Sequence, residues 1–170
     1  VCNVACTPSW APWPAARPPG FADLPRLPYT RAVISEAVRL YPPAWVIGRT
    51  LRTGLVIGGW HAPAGSTVAV SPLLLHHDPR WFRDPAAFDP GRWLDHRRAD
   101  VPRHAYLPFG TGLRACAGEQ FAWAQATTVL AVIAGRWHLE ADPGHAVIPR
   151  YGVTLRPGNG VPVRIRPAAG

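Results

Sequence analysis

A mainly α fold with small β-sheets, an α+β arrangement, is predicted by three features of the sequence. Two segments, about 29–41 and 118–136, space their apolar residues as helices do. Short apolar or alternating runs near 55–57, 67–70 and beyond 137 read as strands too brief for a large sheet. The 21 Pro and 16 Gly together exceed a fifth of the 170 residues, so much of the chain must be turns and extended connections.

Residues 1–16, with Trp10, Trp13 and clustered Pro, show neither period and read as an irregular leader; 17–170 reads as one domain. Pro28 near N1 opens a helix from about Tyr29 to Tyr41, whose stripe is Val33, Ala37, Val38, Leu40 and Tyr41. Pro42-Pro43 stops it. Leu55-Val56-Ile57, then Gly58-Gly59 and Trp60, reads as a strand entering a tight hairpin, with Thr67–Val70 as the partner strand. A short helix is expected over Pro72–His76. From Asp78 to Pro108 no period is sustained, and so long an irregular stretch needs a functional or packing reason. The clearest helix follows a Gly-rich segment, from about Gly118 to Arg136, with Gly135 as its stop. In the tail Trp137–Glu140, Val153–Leu155 and Val161–Ile165 read as strands, with a hairpin around Pro157–Gly160. No internal repeat is visible.

Apolar residues at 48% and charged residues at 16% can fill a core, which excludes wholesale disorder. No apolar run approaches the roughly 20 residues of a membrane span. The longest, Ala122–Ala134, is interrupted by Gln125, Thr127 and Thr128. All 18 basic residues are Arg, the net charge is +8, and the charges are scattered. Such a surface favours acidic partners. A nucleic-acid-binding module has only this charge in its favour, because no recognised motif accompanies it. The Arg-for-Lys bias with abundant Ala, Pro and Gly points to GC-rich coding and an actinobacterial type of source. The absence of Met, even at position 1, marks the chain as processed or as a fragment. Three cysteines (Cys2, Cys6, Cys116) make no disulfide framework; Cys2 and Cys6 read as free thiols. No secretory signal opens the chain, and a cytoplasmic place is expected.

The sharpest signal is Phe109-Gly110-Thr111-Gly112-Leu113-Arg114-Ala115-Cys116-Ala117-Gly118. One Cys sits in a glycine-spaced loop directly before a long helix. Glycines let the backbone take positive φ and approach a flat ligand closely. A thiolate there gains from loop amides and the positive helix end, and suits a metal. Arg114 offers a planar fork for a carboxylate, and Phe109 would shield the sulfur from water.

This decapeptide resembles the haem-binding loop of the cytochrome P-450 family, Phe-x-x-Gly-x-Arg-x-Cys-x-Gly, with Phe109, Gly112, Arg114, Cys116 and Gly118 in place. Ala122 fills the small position four after the last Gly. The resemblance implies haem b held by Phe109, Gly110, Gly112, Arg114, Cys116, Ala117 and Gly118, with Cys116 as axial ligand of the iron. Glu36-Ala37-Val38-Arg39 resembles the family's Glu-x-x-Arg helix motif, continued by Leu40-Tyr41-Pro42-Pro43. Phe88-Asp89-Pro90-Gly91-Arg92-Trp93 resembles the meander segment whose Arg completes a triad, which implies that Arg92 meets Glu36 and Arg39. A closed charge network of that kind specifies geometry more than it stabilises. By the same resemblance Arg49 binds a haem propionate. Ala44, Trp45, Val46 and Ile47, with Gly152 and Val153 from another side, line a pocket suited to an apolar substrate. His76-His77 cannot face one metal as a pair, and a His here is structural in the family.

The resemblance covers about Pro18 to Arg166 and matches only the C-terminal, haem-proximal part of the family fold. The long central helix with its acid/Thr pair, and the helices over the other haem face, are not matched. The implied function is a haem-thiolate monooxygenase that places one oxygen atom of O2 in an apolar substrate. A haem-dependent isomerase and a truncated, inactive remnant stand beside it. No reductase is encoded, so a ferredoxin-type donor is implied, docking near the Cys116 loop where Arg97, Arg98 and Arg103 lie. The 170 residues alone are expected not to turn over substrate.

Overall fold

Pro28 begins helix α1 (Pro28–Leu40) at its first position, where a missing N–H costs nothing, and Pro42-Pro43 prevents its continuation. Its inner face is unusual. Beside Ala32 and Leu40 it buries Thr30, Ser35, Glu36 and Arg39. The computed structural model describes Trp13 and residues 17–168. Cys2, Cys6, Trp10 and most of the leader lie outside the described residues.

Four small antiparallel pairs follow from short runs. Strand β1 (Ile47–Thr50) pairs with β4 (Thr67–Val70), Ile47 opposite Val70 and Thr50 opposite Thr67. Strand β2 (Leu55–Ile57) pairs with β3 (Trp60–Ala62). Their turn uses Gly58 and Gly59 at φ of 55° and 86°, the two left-handed positions of a tight hairpin. The partner of Leu55–Ile57 is thus Trp60–Ala62. Thr67–Val70 returns instead to the strand that follows α1.

Helix α2 (Pro72–His76) occupies the predicted residues, with the Ser71 hydroxyl capping it by accepting from the Leu74 N–H at 3.3 Å. Residues 78–108 hold no strand and only 3-10 turns, at Pro90–Trp93 and Asp95–Asp100. Helix α3 (Glu119–Arg136) packs against α1 and buries Trp123, Thr127 and Ala131. Gly135 is not its stop: it lies within the helix, which ends as Trp137 turns to extended backbone. A Cβ at Gly135 would stand 2.6 Å from the carbonyl oxygen of Trp13, so the glycine admits a close crossing of the leader. Arg17 and Arg26 lie over the Trp13 ring at 5.0 and 5.8 Å and hold it there.

Strand β5 (Trp137–Ala141) pairs with the last strand, β8 (Val163–Pro167). Between them β6 (Pro149–Tyr151) and β7 (Leu155–Pro157) form the tail hairpin. The hairpin turn is therefore 152–154 and not Pro157–Gly160, which links β7 to a different sheet. Val153 is at the turn and fully exposed, since Tyr151 pairs with Leu155 on either side of it.

The core is small and partly polar: Leu27, Ala32, Leu40, Phe82, Ala105, Trp123, Ala131 and Leu155, with His76 and the α1 charges among them. Large apolar side chains stay on the surface, notably Leu113, Phe121, Trp60 and Val153. No helix among the described residues is long and apolar enough to cross a membrane.

His76 is fully buried, and its Nε2 accepts the Leu107 N–H at 2.9 Å, which places the ring proton on Nδ1. Burial is the main cause that lowers its pKa to about 4. In the unfolded chain the ring takes up a proton near its ordinary value, so the unfolded state binds more protons in between. The stability His76 contributes is complete above that ordinary value and is lost as pH falls towards 4. Between pH 7 and pH 5 we expect a loss of about 2 kcal/mol. Urea titrations at the two pH values measure it, and His76→Phe should flatten the dependence.

Candidate functional site

Glu36 and Arg39 stand one turn apart on α1 and form a buried ion pair, Nε to Oε2 at 2.8 Å and Nη2 to Oε1 at 2.9 Å. Arg92, delivered by the 3-10 turn at Pro90–Trp93, donates from Nε to Oε1 at 3.2 Å. The Asp89 amide reaches Oε1 at 3.0 Å and the Trp93 indole N–H reaches Oε2 at 2.8 Å. One carboxylate thus accepts five hydrogen bonds. Burial pushes the Glu36 carboxyl up, but the bonds from Arg39, the Asp89 amide and Trp93 outweigh it and hold the group below its ordinary value.

Arg39 spends its other donors on backbone. Nη1 donates to the carbonyls of His76 and Pro85, both at 2.8 Å, and Nη2 to that of Ala87 at 3.0 Å. All five of its N–H groups are used. The irregular stretch before the loop is therefore pinned to α1 by side chains where a strand would use a ladder. Sequence reasoning found the three charges. It missed Trp93 and the Asp89 amide, though both flank Arg92 in the same turn. The carbonyl partners carry no sequence signal, since every residue has one.

The segment entering the loop is fixed twice, by His76 Nε2 on the Leu107 amide and by the Tyr106 hydroxyl donating to the Ser35 carbonyl at 3.0 Å. Gly110 and Gly112 then take φ of 72° and 71°, left-handed values that side chains resist. The loop closes on itself where the Cys116 N–H donates to the Phe109 carbonyl at 2.9 Å, and Gly118 caps α3. The Phe109 ring lies edge-on to Trp123 with centroids 5.2 Å apart, on the inner side of the loop. Cys116, Ala117, Arg114 and Leu113 are exposed, Leu113 fully so.

Strand β1 borders this loop: a Cβ at Gly110 would stand 3.8 Å from the Ile47 Cδ1. Ile47 and Arg49 share one face of β1, being two residues apart. Arg49 is exposed and bonds only its neighbour's carbonyl, Gly48 O at 2.8 Å. The 44–47 segment meets the tail turn through the Trp45 indole N–H, which donates to the Gly152 carbonyl at 2.8 Å, and the Trp45 ring lies 5.4 Å from that of Tyr151. The structure thus brings Trp45 to Gly152 and Ile47 to the loop. Arg97 is held by Asp89 at 2.6 Å, whereas Arg103 is exposed. His76 and His77 turn to different partners, the Leu107 amide and the Leu73 carbonyl.

These side chains fit a flat apolar group with an anionic edge and a metal at its centre. Cys116 presents a soft sulfur donor, Leu113 and Val46 present exposed apolar surface, and Arg114 and Arg49 form no ion pair among the described residues.

The comparisons with known proteins agree on one family. The model of the cytochrome P450 family matches residues 13–161. Cyclooctatin synthase of Streptomyces melanosporofaciens is 47% identical over 89% of this chain, which spans 32% of that protein. Pentalenene oxygenase of Streptomyces avermitilis is 38% identical over 78% of the chain and is spanned to 30%. The crystal structure of the cytochrome P450DA heme domain superposes with a TM-score of 0.82 at 29% identity, covering 89% of this chain and 34% of that one. The chain spans about a third of the length of the relatives it matches. A fold of helices with small antiparallel sheets, a loop around Cys116 and these matches together show that the chain belongs to the cytochrome P450 family, whose cofactor is haem b.

Proposed function

We propose that residues 17–170 form the haem-proximal part of a bacterial, cytoplasmic haem-thiolate monooxygenase acting on an apolar substrate. The observation that carries this reading is Cys116, exposed on a loop that two left-handed glycines shape, with Arg114 two residues before it and Arg49 on the strand that borders the loop, neither ion-paired among the described residues. The names of two relatives, pentalenene oxygenase and cyclooctat-9-en-7-ol 5-monooxygenase, support oxygen insertion into an olefinic carbon skeleton.

The chemistry the haem supplies when bound is two-electron activation of O2, one oxygen atom passing to substrate and the other to water. Cys116 would hold the haem iron through its sulfur, the donor type that suits it. Arg114 and Arg49 would hold the propionate carboxylates with their guanidinium forks. Gly110, Gly112, Ala117 and Gly118 keep the loop free of bulky side chains where the haem would lie, and Phe109 would back it. Ala44, Trp45, Val46 and Ile47, with Gly152 and Val153, form one apolar wall for substrate. Glu36, Arg39 and Arg92 touch none of these; they position the segment that feeds the loop.

A reduced, CO-bound difference spectrum tests the reading: a thiolate-type Soret band is expected, and a haem-loaded protein without it would overturn the assignment. The exposure of Leu113, Val153 and Cys116 favours a second statement, that the 170 residues alone enclose no working pocket. Coupled product formation at ordinary enzyme rates by residues 1–170 would overturn that one.

Electrons are proposed to come from an acidic, ferredoxin-type protein docking near the loop, with Arg97, Arg98 and Arg103 as the basic edge. Because Arg97 already pairs with Asp89, exposed Arg103 is the freer charge. Arg103→Glu is expected to slow reduction several-fold at low salt, with the difference fading as salt rises. Stopped-flow reduction rates measured against ionic strength check this.

A further inference from the structure

A cavity of about 250 Å3 lies between α1, the meander and the inner side of the Cys116 loop. Arg31 of α1 and Arg98 of the meander both line it, together with Ser35, Phe109, Glu119 and Trp123. The Arg31 guanidinium stacks 3.6 Å from the Trp123 ring centroid. Arg98 lies 5.1 Å from the ring of Trp93 and 6.0 Å from that of Tyr106. Stacking engages the faces of the guanidiniums and leaves their in-plane N–H groups to bond elsewhere.

Neither Arg makes an ion pair among the described residues. Glu119 is the one carboxylate lining the cavity, and its Oε1 is taken by the Trp123 indole N–H at 3.2 Å. Two cations therefore converge on one anion. Burial is the main cause that lowers the pKa of half-buried Arg31; Tyr106 and Glu119 oppose it and the charge of Arg98 adds to it. The site holds more positive charge than it neutralises.

We propose that this cavity binds a carboxylate between Arg31 and Arg98. A guanidinium fork matches a carboxylate edge to edge, and flat aromatic walls suit a planar group. The cavity's volume of about 250 Å3 suits a small free dicarboxylic acid as the source of that carboxylate. Phe109 and Gly110 of the loop line this site and Cys116 does not, so the site does not rest on haem binding.

The test is calorimetric titration of the 170-residue chain with succinate, and with uncharged succinamide as control. Saturable one-site binding of succinate, without binding of succinamide, is expected. Arg98→Gln and Arg31→Gln should each weaken it at least tenfold, whereas Arg83→Gln, exposed and outside the cavity, should leave it unchanged. Arg98 is exposed in a 3-10 turn, so its variant keeps the test decisive if loss of the Arg31 stack disturbs folding. An Asp/Glu-rich peptide is expected not to displace succinate; displacement would assign the carboxylate to a protein side chain and overturn the proposal. Absence of saturable succinate binding, equal binding of succinamide, or equal weakening by Arg83→Gln would overturn the proposal.

Discussion

Cys116→Ala is expected to erase the thiolate-type spectrum of the CO-bound ferrous protein completely. Cys116 is the one free thiol among the described residues, and none of those residues offers a second sulfur from a Cys to replace it. Imidazole is no ready substitute. His76 is buried and bound to the Leu107 amide, and His77 is tied to the Leu73 carbonyl. The loop keeps its shape through backbone bonds, Cys116 N–H to Phe109 O and Ala115 N–H to Gly112 O, which Ala preserves. Haem retained by Cys116→Ala should therefore show a band shifted away from the thiolate position. If the variant kept the thiolate band, the ligand would have to be sought elsewhere.

The largest loss of stability is expected from Glu36→Ala. Removing this carboxylate leaves Arg39 and Arg92 buried face to face with no anion between them, and strips the Asp89 amide and Trp93 indole of their acceptor. Breaking a buried pair from one side costs about 3–5 kcal/mol, against a total of about 5–15 kcal/mol for an ordinary domain. Arg92→Ala should cost less, because Arg92 gives Glu36 one bond where Arg39 gives two. Urea denaturation of the two variants checks the order. The pH dependence has a definite sign. Glu36 is held below its ordinary value, so its stabilisation is present above the unfolded-state value and is lost as pH falls through the folded one.

Much of this arrangement was legible from local chemistry. Pro28 and Pro42-Pro43 mark the bounds of α1, and Gly58-Gly59 marks its hairpin, because these residues restrict or free the backbone wherever they occur. Pairing beyond the nearest neighbour was not legible. Thr67–Val70 suits either preceding strand by composition, and its pairing with Ile47–Thr50 is settled by where α1 and α2 leave the chain. Gly135 reads locally as a helix stop; only the crossing of Trp13 gives it another purpose. At the site, Cys116 and the three charges stood out by type and spacing. The Arg31–Trp123 stack did not, since it joins residues 92 positions apart with no motif at either end.

The anchoring of the meander by side chains alone has a consequence for its motions. Carbonyls of His76, Pro85 and Ala87 and the Asp89 amide all end on Arg39 or Glu36, so one ion pair is the common seat of four anchors. A single rotation of the α1 charge pair out of its seat frees them together. Amide exchange along this stretch should therefore proceed by one cooperative opening, not by fraying residue by residue. Because the contacts close loops of 37–53 residues, the same stretch should order late in folding, after α1 has formed.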